Sequence, residues 1–406
     1  MSTSLLYHGF GIREKGYVYR SSSYLDGAIT FRIERAPATL RCVCCGGREV
    51  IRAGAVVRRL RGLPIGGKAV WIEVALPRLS CRGCGRTRQA ALGLADARVS
   101  YTKAFERYVL ELSRHTTIQA AAQHLGVSWD VVKDIQKRHL RRRFRKIKLR
   151  RLKRLAIDEI SIGKGHRYLT VVLDLDCGAV VFIGEGKGAD ALDPFWKKLR
   201  ASRAKIEAVA TDMSPAYTLA VHKHLPGAVH VFDRFHVVKL FNDKLGDLRR
   251  QVQNQAESIE QKKAIKGTRW LLLKNPQNLD DDRNERQRLD DALRLNQPLA
   301  VAYYLKEDLR QFWEQADISS AAAFLDDWIA RAAASGVSML QKFARTVQLH
   351  RRGLLNWYLH PISTGPLEGT NNKIKTLQRQ AYGFRDQAFF RLKIFALHEA
   401  NYALTG

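Results

Sequence analysis

Apolar residues change their spacing several times along this chain, and each change predicts a different kind of element. Between residues 36 and 95 they alternate. The stretch "AVVRRLRGLPIGGKAVWIEVALPRLSC" places β-type runs on either side of a Pro-Ile-Gly-Gly breaker, the pattern of a hairpin. From Tyr101 to Leu140 the period becomes helical, with Phe105, Val109 and Leu112 on one face. Within "TIQAAAQHLGVSWDVVKDIQKRHL", Thr117 can cap one helix, Gly126 can make a tight turn and Ser128 can cap the next. This predicts a helix-turn-helix, although an ordinary helical hairpin shares the pattern. Residues 155–238 read β, β, β, α, β, α, β, with strands "RLAIDEI", "RYLTVVLDLD", "AVVFIGEG", "IEAVATD" and "AVHVFD". Residues 239–350 are charged and helical, broken at "KNPQNL" and "LNQPL", with no strand pattern. A helix bearing Glu368 and the amphipathic "DQAFFRLKIFALHEANYAL" close the chain.

Three consecutive strands followed by alternating helices and strands match a ribonuclease H-like core. The expected fold class is therefore a multidomain α/β protein. Its parts are an N-terminal arm (1–35), a zinc ribbon (36–95), a helix-turn-helix with basic linker (100–154), and a ribonuclease H-like core in two parts (155–238 and 351–406). An all-helical insertion (239–350) interrupts that core.

Charge narrows the partner. The chain has 406 residues, and Lys plus Arg total 69 against 39 Asp plus Glu, a formal net charge of +30. Such a surface attracts nucleic acid, and a membrane surface fits less well. No apolar run approaches the roughly 18–20 residues of a spanning helix, and the N-terminus lacks a signal-peptide core. The expectation is a cytoplasmic, DNA-associated protein. Residues 137–154 hold twelve Lys or Arg and no acid. They would track phosphates and make binding steeply salt-dependent, with Arg141, Arg142, Arg143, Arg145 and Lys146 as candidates. Base reading would fall to the N-terminal end of the helix from Ser128, where Ser128, Trp129, Asp130 and Lys133 lie.

Five of the six cysteines lie between Cys42 and Cys84. Cys42-x-x-Cys45-Gly46 and Cys81-x-x-Cys84-Gly85 make two knuckles, each able to bring two thiolates to one tetrahedral Zn²⁺ while the glycine frees the turn behind them. Cys44 could replace Cys45 at the loss of the x-x spacing. Cys177, in a predicted turn, reads as a small buried apolar residue. Four thiolates leave no open position, so the zinc would be structural.

Asp158 and Asp212 each follow an apolar β run, where a charge is costly unless it reaches solvent or a metal. Glu368 lies on the late helix. Three carboxylates in a strongly basic protein suggest a Mg²⁺ (or Mn²⁺) site facing a polyanion. Glu159, Asp174 and Asp176 compete for the first position, with Asp158 preferred.

The runs "IDEISI" and "ATDMSPAY", the segment Asp233-Arg234-Phe235-His236-Val237 and "GPLEGTNNKIKTLQRQAYGFRD" closely resemble insertion-sequence transposases of the DDE class, nearest to the ISL-three family. The resemblance covers nearly the whole chain. It implies that Asp158, Asp212 and Glu368 form the metal-binding triad and that Asp233 and His236 are the D-x-x-H pair found after the second Asp. On chemistry alone His236 is more often a hydrogen-bonded structural histidine than a ligand, and its expected part is to orient the site and the scissile phosphate. Asn371, Asn372 and Lys375 share Glu368's side of the helix and are candidates for holding the DNA end. The implied activity is metal-dependent cleavage of double-stranded DNA at the element's terminal inverted repeats and strand transfer into target DNA, by a homodimer on DNA. The competing readings are a catalytically inert DNA-binding regulator and a nuclease of the same fold without strand transfer.

Overall fold

The computed structural model describes residues 16–163 and 165–398. They fall into two compact units, residues 16–145 with 376–398, and the described residues from 146 to 375.

The first unit opens with a sheet. Strands β1 (Tyr17–Leu25), β2 (Ala28–Arg35), β3 (Val50–Arg61), β4 (Ala69–Cys81) and β5 (Thr87–Gln89) lie in the order β1-β2-β4-β3, with β5 paired to β4. The arm expected over residues 1–35 is thus a hairpin from Tyr17 onward, and β2 runs parallel to β4. The first fifteen residues of that arm lie outside the described ones. The alternation anticipated in β3 and β4 produces an antiparallel pair, and Val70, Ile72, Val74 and Leu76 of β4 all turn into the core beside Leu60 and Ile33.

Three helices follow: α1 (Lys103–Leu112), α2 (Ile118–Leu125) and α3 (Trp129–Arg143). Their boundaries come from local chemistry. The Thr117 and Ser128 hydroxyls accept from the amides of Ala120 and Val131, and Gly126 ends α2 in the left-handed region at φ 58°. Phe105, Val109, Ala121, Leu125, Val132 and Ile135 fill the space between the helices, together with Phe389 from the end of the chain.

The second unit is built on another sheet: β6 (Arg154–Gly163), β7 (Arg167–Asp174), β8 (Val180–Glu185), β9 (Ala208–Thr211) and β10 (Val229–Phe232), in the order β10-β9-β6-β7-β8. The first three strands make an antiparallel meander, and β9 and β10 run parallel to β6. Helices α4 (Asp193–Ser202) and α5 (Pro215–His224) pack Phe195, Trp196, Leu199, Tyr217 and Val221 against Leu155, Ile157, Val172 and Val209 of the sheet. The strands read from the sequence all form; β6 runs three residues past its expected end, and the other four are trimmed by one or two residues.

After β10 every described element is helical: α6 (Arg234–Gln255), α7 (Ile259–Ile265), α8 (Arg269–Leu273), α9 (Glu285–Arg294), α10 (Gln297–Gln311), α11 (Ile318–Ala334), α12 (Ser338–Leu355), α13 (Gly365–Gln380) and α14 (Gln387–Phe395), apart from short 3₁₀ turns. The edge-on aromatics Phe241, Trp328 and Phe343 sit at the centre of the helical core, and the Trp328 indole N–H donates to the Leu305 carbonyl at 2.8 Å. Phe232, the last residue of β10, belongs to this core too, so the helices are fastened to the sheet edge. The fastening is tight at one point. A Cβ on Gly353 of α12 would lie 2.3 Å from the Phe232 ring, so only glycine lets the helix cross there.

α14 packs within the first unit, although the sequence pattern placed residues 351–406 together. Asp386 caps it by accepting from the Phe389 amide, and its carboxylate also holds Lys137 at 2.5 Å and Lys133 at 3.5 Å on α3. The Lys137 hydrogen bond and charge hold the Asp386 carboxyl down at about 2.

Gly353→Ala is expected to destabilise the second unit by about 1–3 kcal/mol through overpacking. A lowered thermal midpoint with unchanged zinc content checks this, and an unchanged midpoint would mean that α12 can slide on Phe232 at no cost.

Candidate functional site

The four cysteines come together. Cys42 and Cys84 have sulfurs 3.6 Å apart, Cys45 and Cys81 likewise, and ligand atoms of all four lie within 4.8 Å of one another. Gly46 and Gly85 hold φ of 76° and 67°, and their amides donate to the Cys42 and Cys81 carbonyls, which closes each knuckle behind its thiols. The amides of Cys45 and Cys44 draw the Cys42 thiol down to about 6, toward the thiolate a metal needs. Cys44 itself is exposed and outside the quartet, so the thiol that joins Cys42, Cys81 and Cys84 is that of Cys45. Cys177 is exposed rather than buried, with its thiol against Asp174 at 3.3 Å, because the turn after β7 faces solvent.

Among the described residues, the cysteines are the one group of three or more His, Cys, Asp or Glu side chains gathered that tightly. The carboxylates singled out by the sequence are placed more loosely. Asp158 lies in β6 and Asp212 directly follows β9. The two strands are hydrogen-bonded neighbours in parallel register, Ala156 opposite Ala210, so Asp158, midway along β6, lies level with Asp212 just past the end of β9. Both are half-buried, and burial raises both carboxyls above their ordinary value. His236 at the start of α6 pulls both down, while the negative charge of Glu159 pushes both up, and that of Asp212 adds to the upward push on Asp158. A half-buried acid with a neighbouring acid is costly as it stands and is relieved by a cation.

The competitors for the first position are occupied elsewhere. One oxygen of Glu159 accepts from the Tyr217 hydroxyl at 2.6 Å and the Gly188 amide at 2.9 Å. Asp174 accepts from the Asp176 amide, and Asp176 pairs with Arg154.

Glu368 is half-buried on α13, in the first turn of the helix. Three residues on, Asn371 is only 6 % exposed, and its Nδ2 donates to Asp158 Oδ2 at 2.9 Å across 213 positions of sequence. Asn371 is therefore buried beside Asp158, whereas Asn372 and Lys375 face outward. Sequence reasoning grouped the three as one DNA-facing stripe; the i, i+3 relation to Glu368 was the available signal that Asn371 could instead turn inward.

Asp233 is held within the fold by the backbone on both sides of it. It is 1 % exposed; one oxygen accepts from the Phe235 amide at 3.1 Å, capping α6, and the other from the Thr364 amide at 3.0 Å, just before α13. With both oxygens held by backbone N–H groups, this side chain positions α6 and α13 against each other. His236, in the first turn of α6, is the member of the pair whose charge draws the Asp158 and Asp212 carboxyls down.

On the helix-turn-helix, Ser128 and Trp129 are exposed, as are Arg141, Arg143, Arg145 and Lys146. Lys133 is drawn toward Asp386 and over the Trp129 ring, and Arg142 pairs with Asp96 and Glu106. Those two cations are already engaged within the fold, which spacing along the helix could not show.

Two outcomes follow from this geometry. Cys45→Ser should lose bound zinc while Cys44→Ser keeps it, by metal analysis of purified protein; zinc retained by Cys45→Ser would dissolve the quartet. Because the Asp212 carboxyl is raised above 3.8, its ionised form weakens the fold at neutral pH, and the penalty fades as pH falls through the raised value. In EDTA, Asp212→Asn should melt higher than the unmodified protein at pH 7, with the gap narrowing toward pH 4. A lower midpoint at pH 7 would contradict it.

Three family models match the chain: one described as transposase over residues 155–394, one as the helix-turn-helix domain of transposase family ISL3 over 90–140, and one as the zinc-finger of transposase IS204/IS1001/IS1096/IS1165 over 38–84. The transposase for insertion sequence element IS1001 of Bordetella parapertussis is 36% identical over 365 residues, which is 89% of each chain. The transposase for IS1557 of Mycobacterium tuberculosis is 31% identical over 411 aligned positions, 94% of this chain and 91% of the relative. A solved structure titled Drosophila P element transposase strand transfer complex aligns with 75% of this chain and 94% of its own at 11% identity, with a TM-score of 0.38, too loose to bear on the fold. With its ribbon, its helix-turn-helix and its catalytic region all matched, the chain belongs to the ISL3 family of DDE insertion-sequence transposases.

Proposed function

We propose that this protein cuts double-stranded DNA at the terminal inverted repeats of its own element and joins the freed 3′ ends to target DNA, with Asp158, Asp212 and Glu368 as the metal-binding acids. The observation that carries the reading is the pair of half-buried, charge-burdened carboxylates level with each other on neighbouring strands, with the Glu368 helix tied to one of them through Asn371. On this reading residues 155–232 are the first part of a ribonuclease H-like core, the helices from α6 to α12 are its insertion, and α13 completes it.

The donor set fits a hard cation such as Mg²⁺ or Mn²⁺: it is all oxygen, largely anionic and partly shielded from water. When bound, such ions lower the pKa of an attacking water or 3′-hydroxyl and stabilise the leaving oxygen. The chain's own residues supply the rest. Asp158 and Asp212 fix the site to the sheet, and Asp233 sets the approach of α13 by clasping Thr364. His236, whose charge would oppose that of the two acids, would orient the scissile phosphate. In the first step water adds to phosphorus and the 3′-oxygen leaves with a proton, which gives a 3′-hydroxyl and a 5′-phosphate. In the second that hydroxyl attacks a target phosphodiester and the target's own 3′-oxygen departs, so the number of phosphodiester bonds is unchanged.

DNA is held on this reading by Ser128, Arg141, Arg143, Arg145 and Lys146 around α3, and by Asn372 and Lys375 on the outer face of α13. Lys133 and Arg142 would contribute only by exchanging their present carboxylate partners for phosphates. The active form is a homodimer on paired ends, DNA-associated in the cytoplasm. No helix among the described residues is long and apolar enough to cross a membrane.

Asp158→Asn, Asp212→Asn and Glu368→Gln should each bind an element-end duplex with unchanged affinity and lose Mg²⁺-dependent cleavage by about 10²-fold or more. Undiminished cleavage by all three removes the assignment. Joined products from a labelled end and a target plasmid in Mn²⁺ separate transposition from simple nicking, which would leave only the nuclease reading.

A further inference from the structure

Asn371 is the most constrained polar side chain near the carboxylates. It lies on α13 one turn beyond Glu368 and is 6 % exposed. Its Nδ2 donates to Asp158 Oδ2 at 2.9 Å, while its Oδ1 is buried and has no hydrogen-bond partner among the described residues. Chemistry fixes which end is which. An ionised carboxylate only accepts hydrogen bonds, so the amide must turn its N–H₂ to Asp158, and the carbonyl oxygen is left over. Buried acceptors are almost always satisfied, since leaving one dry and unpaired costs about 1–3 kcal/mol. Here the orphan shares its surroundings with a carboxylate and its negative charge. A water could satisfy it by donating a hydrogen bond, but a water does nothing for the uncompensated acids beside it. A cation satisfies both.

We infer that Asn371 is a fourth oxygen donor of the divalent-metal centre, acting through Oδ1 on the ion or on water bound to it, while its Nδ2 holds Asp158 in the orientation that ligates. The inference rests on the proposed triad and deepens it. It takes Asn371 out of the DNA-holding stripe and makes the i, i+3 pair of Glu368 and Asn371 a two-pronged contribution of α13 to the site. The pairing has a mechanical consequence. The helix meets the sheet through a neutral side chain that bridges to Asp158 before any ion arrives, so the late-helix ligands are held near the strand ligands in advance. A neutral amide oxygen also adds a donor without adding a fourth negative charge to a corner already burdened with them.

Mn²⁺ titration of the full-length, zinc-loaded protein, followed by electron paramagnetic resonance of free ion, tests this without relying on activity. Two variants carry it. Asn371→Leu keeps the side-chain bulk and removes both polar atoms; Asn371→Asp keeps an oxygen at the orphan's place. The expected result is Mn²⁺ binding about 10–100-fold weaker in Asn371→Leu and at least as tight as the unmodified protein in Asn371→Asp. Both should hold an element-end duplex normally in EDTA. Unchanged Mn²⁺ affinity in Asn371→Leu overturns the inference, and so does an Asn371→Asp protein that has lost the ion. Loss of duplex binding in EDTA with Mn²⁺ affinity intact returns Asn371 to the DNA surface. If Asn371→Leu does not fold, judged by its thermal transition and zinc content, Asn371→Asp alone decides. Asp158→Asn, run alongside, keeps the failures apart. Should it lose Mn²⁺ while Asn371→Leu does not, only this inference falls; should it bind Mn²⁺ at full strength, the triad itself is wrong.

Discussion

Negative charge held half out of water is the constraint around which the second unit is arranged. Asp158 within β6 and Asp212 just past β9 lie side by side where burial opposes ionisation, and Glu159 adds to the repulsion. Each part of the surroundings reduces that cost without cancelling it. The Ser214 amide donates to Asp212 at 3.0 Å, the Asn371 amide donates to Asp158, and His236 stands near both. The sheet gains nothing in stability from such an arrangement. On the proposed function, its use is to bring cations to a phosphodiester.

The elements around this corner are positioned by uncharged or fully satisfied contacts. Asp233 spends both oxygens on backbone amides, one starting α6 and one preceding α13, and so fastens the entry and the exit of the long helical segment at one place. The Asn356 amide donates to the His230 carbonyl at 2.7 Å, and Gly353 lets α12 lie on the Phe232 ring. Between Asp233 and Thr364 the chain can therefore make a large helical excursion and return to the same point. Sequence distance between the second aspartate and Glu368 is taken up without moving the helix that carries the glutamate.

Much of this was legible in the sequence because it is dictated locally. Caps at Thr117 and Ser128, the left-handed turn at Gly126, the two Cys knuckles with their glycines and the apolar strand cores each depend on a few adjacent residues, and each forms as read. The neighbouring placement of β6 and β9 followed from the order of elements. What could not be read depends on partners far away in sequence. Asp386 captures Lys133 from 253 residues off, and Asn371 turns toward Asp158 rather than solvent. Asp233 has the motif of a site residue but the bonds of a structural one. Residues 17–35 lacked a clear period because β1 is largely exposed, so its hairpin left no apolar signature to find. Cys177 looked like a core residue by type, and only the position of its turn exposes it.

The most direct test of the central claim is a crystal of the full-length protein on an element-end duplex, soaked in Mn²⁺ and measured at the manganese absorption edge. The account predicts anomalous density within about 2.0–2.4 Å of carboxylate oxygens from Asp158, Asp212 and Glu368, with Asn371 Oδ1 facing the same ions. Manganese bound elsewhere, with Glu368 turned away from the two aspartates while DNA is in place, would contradict it.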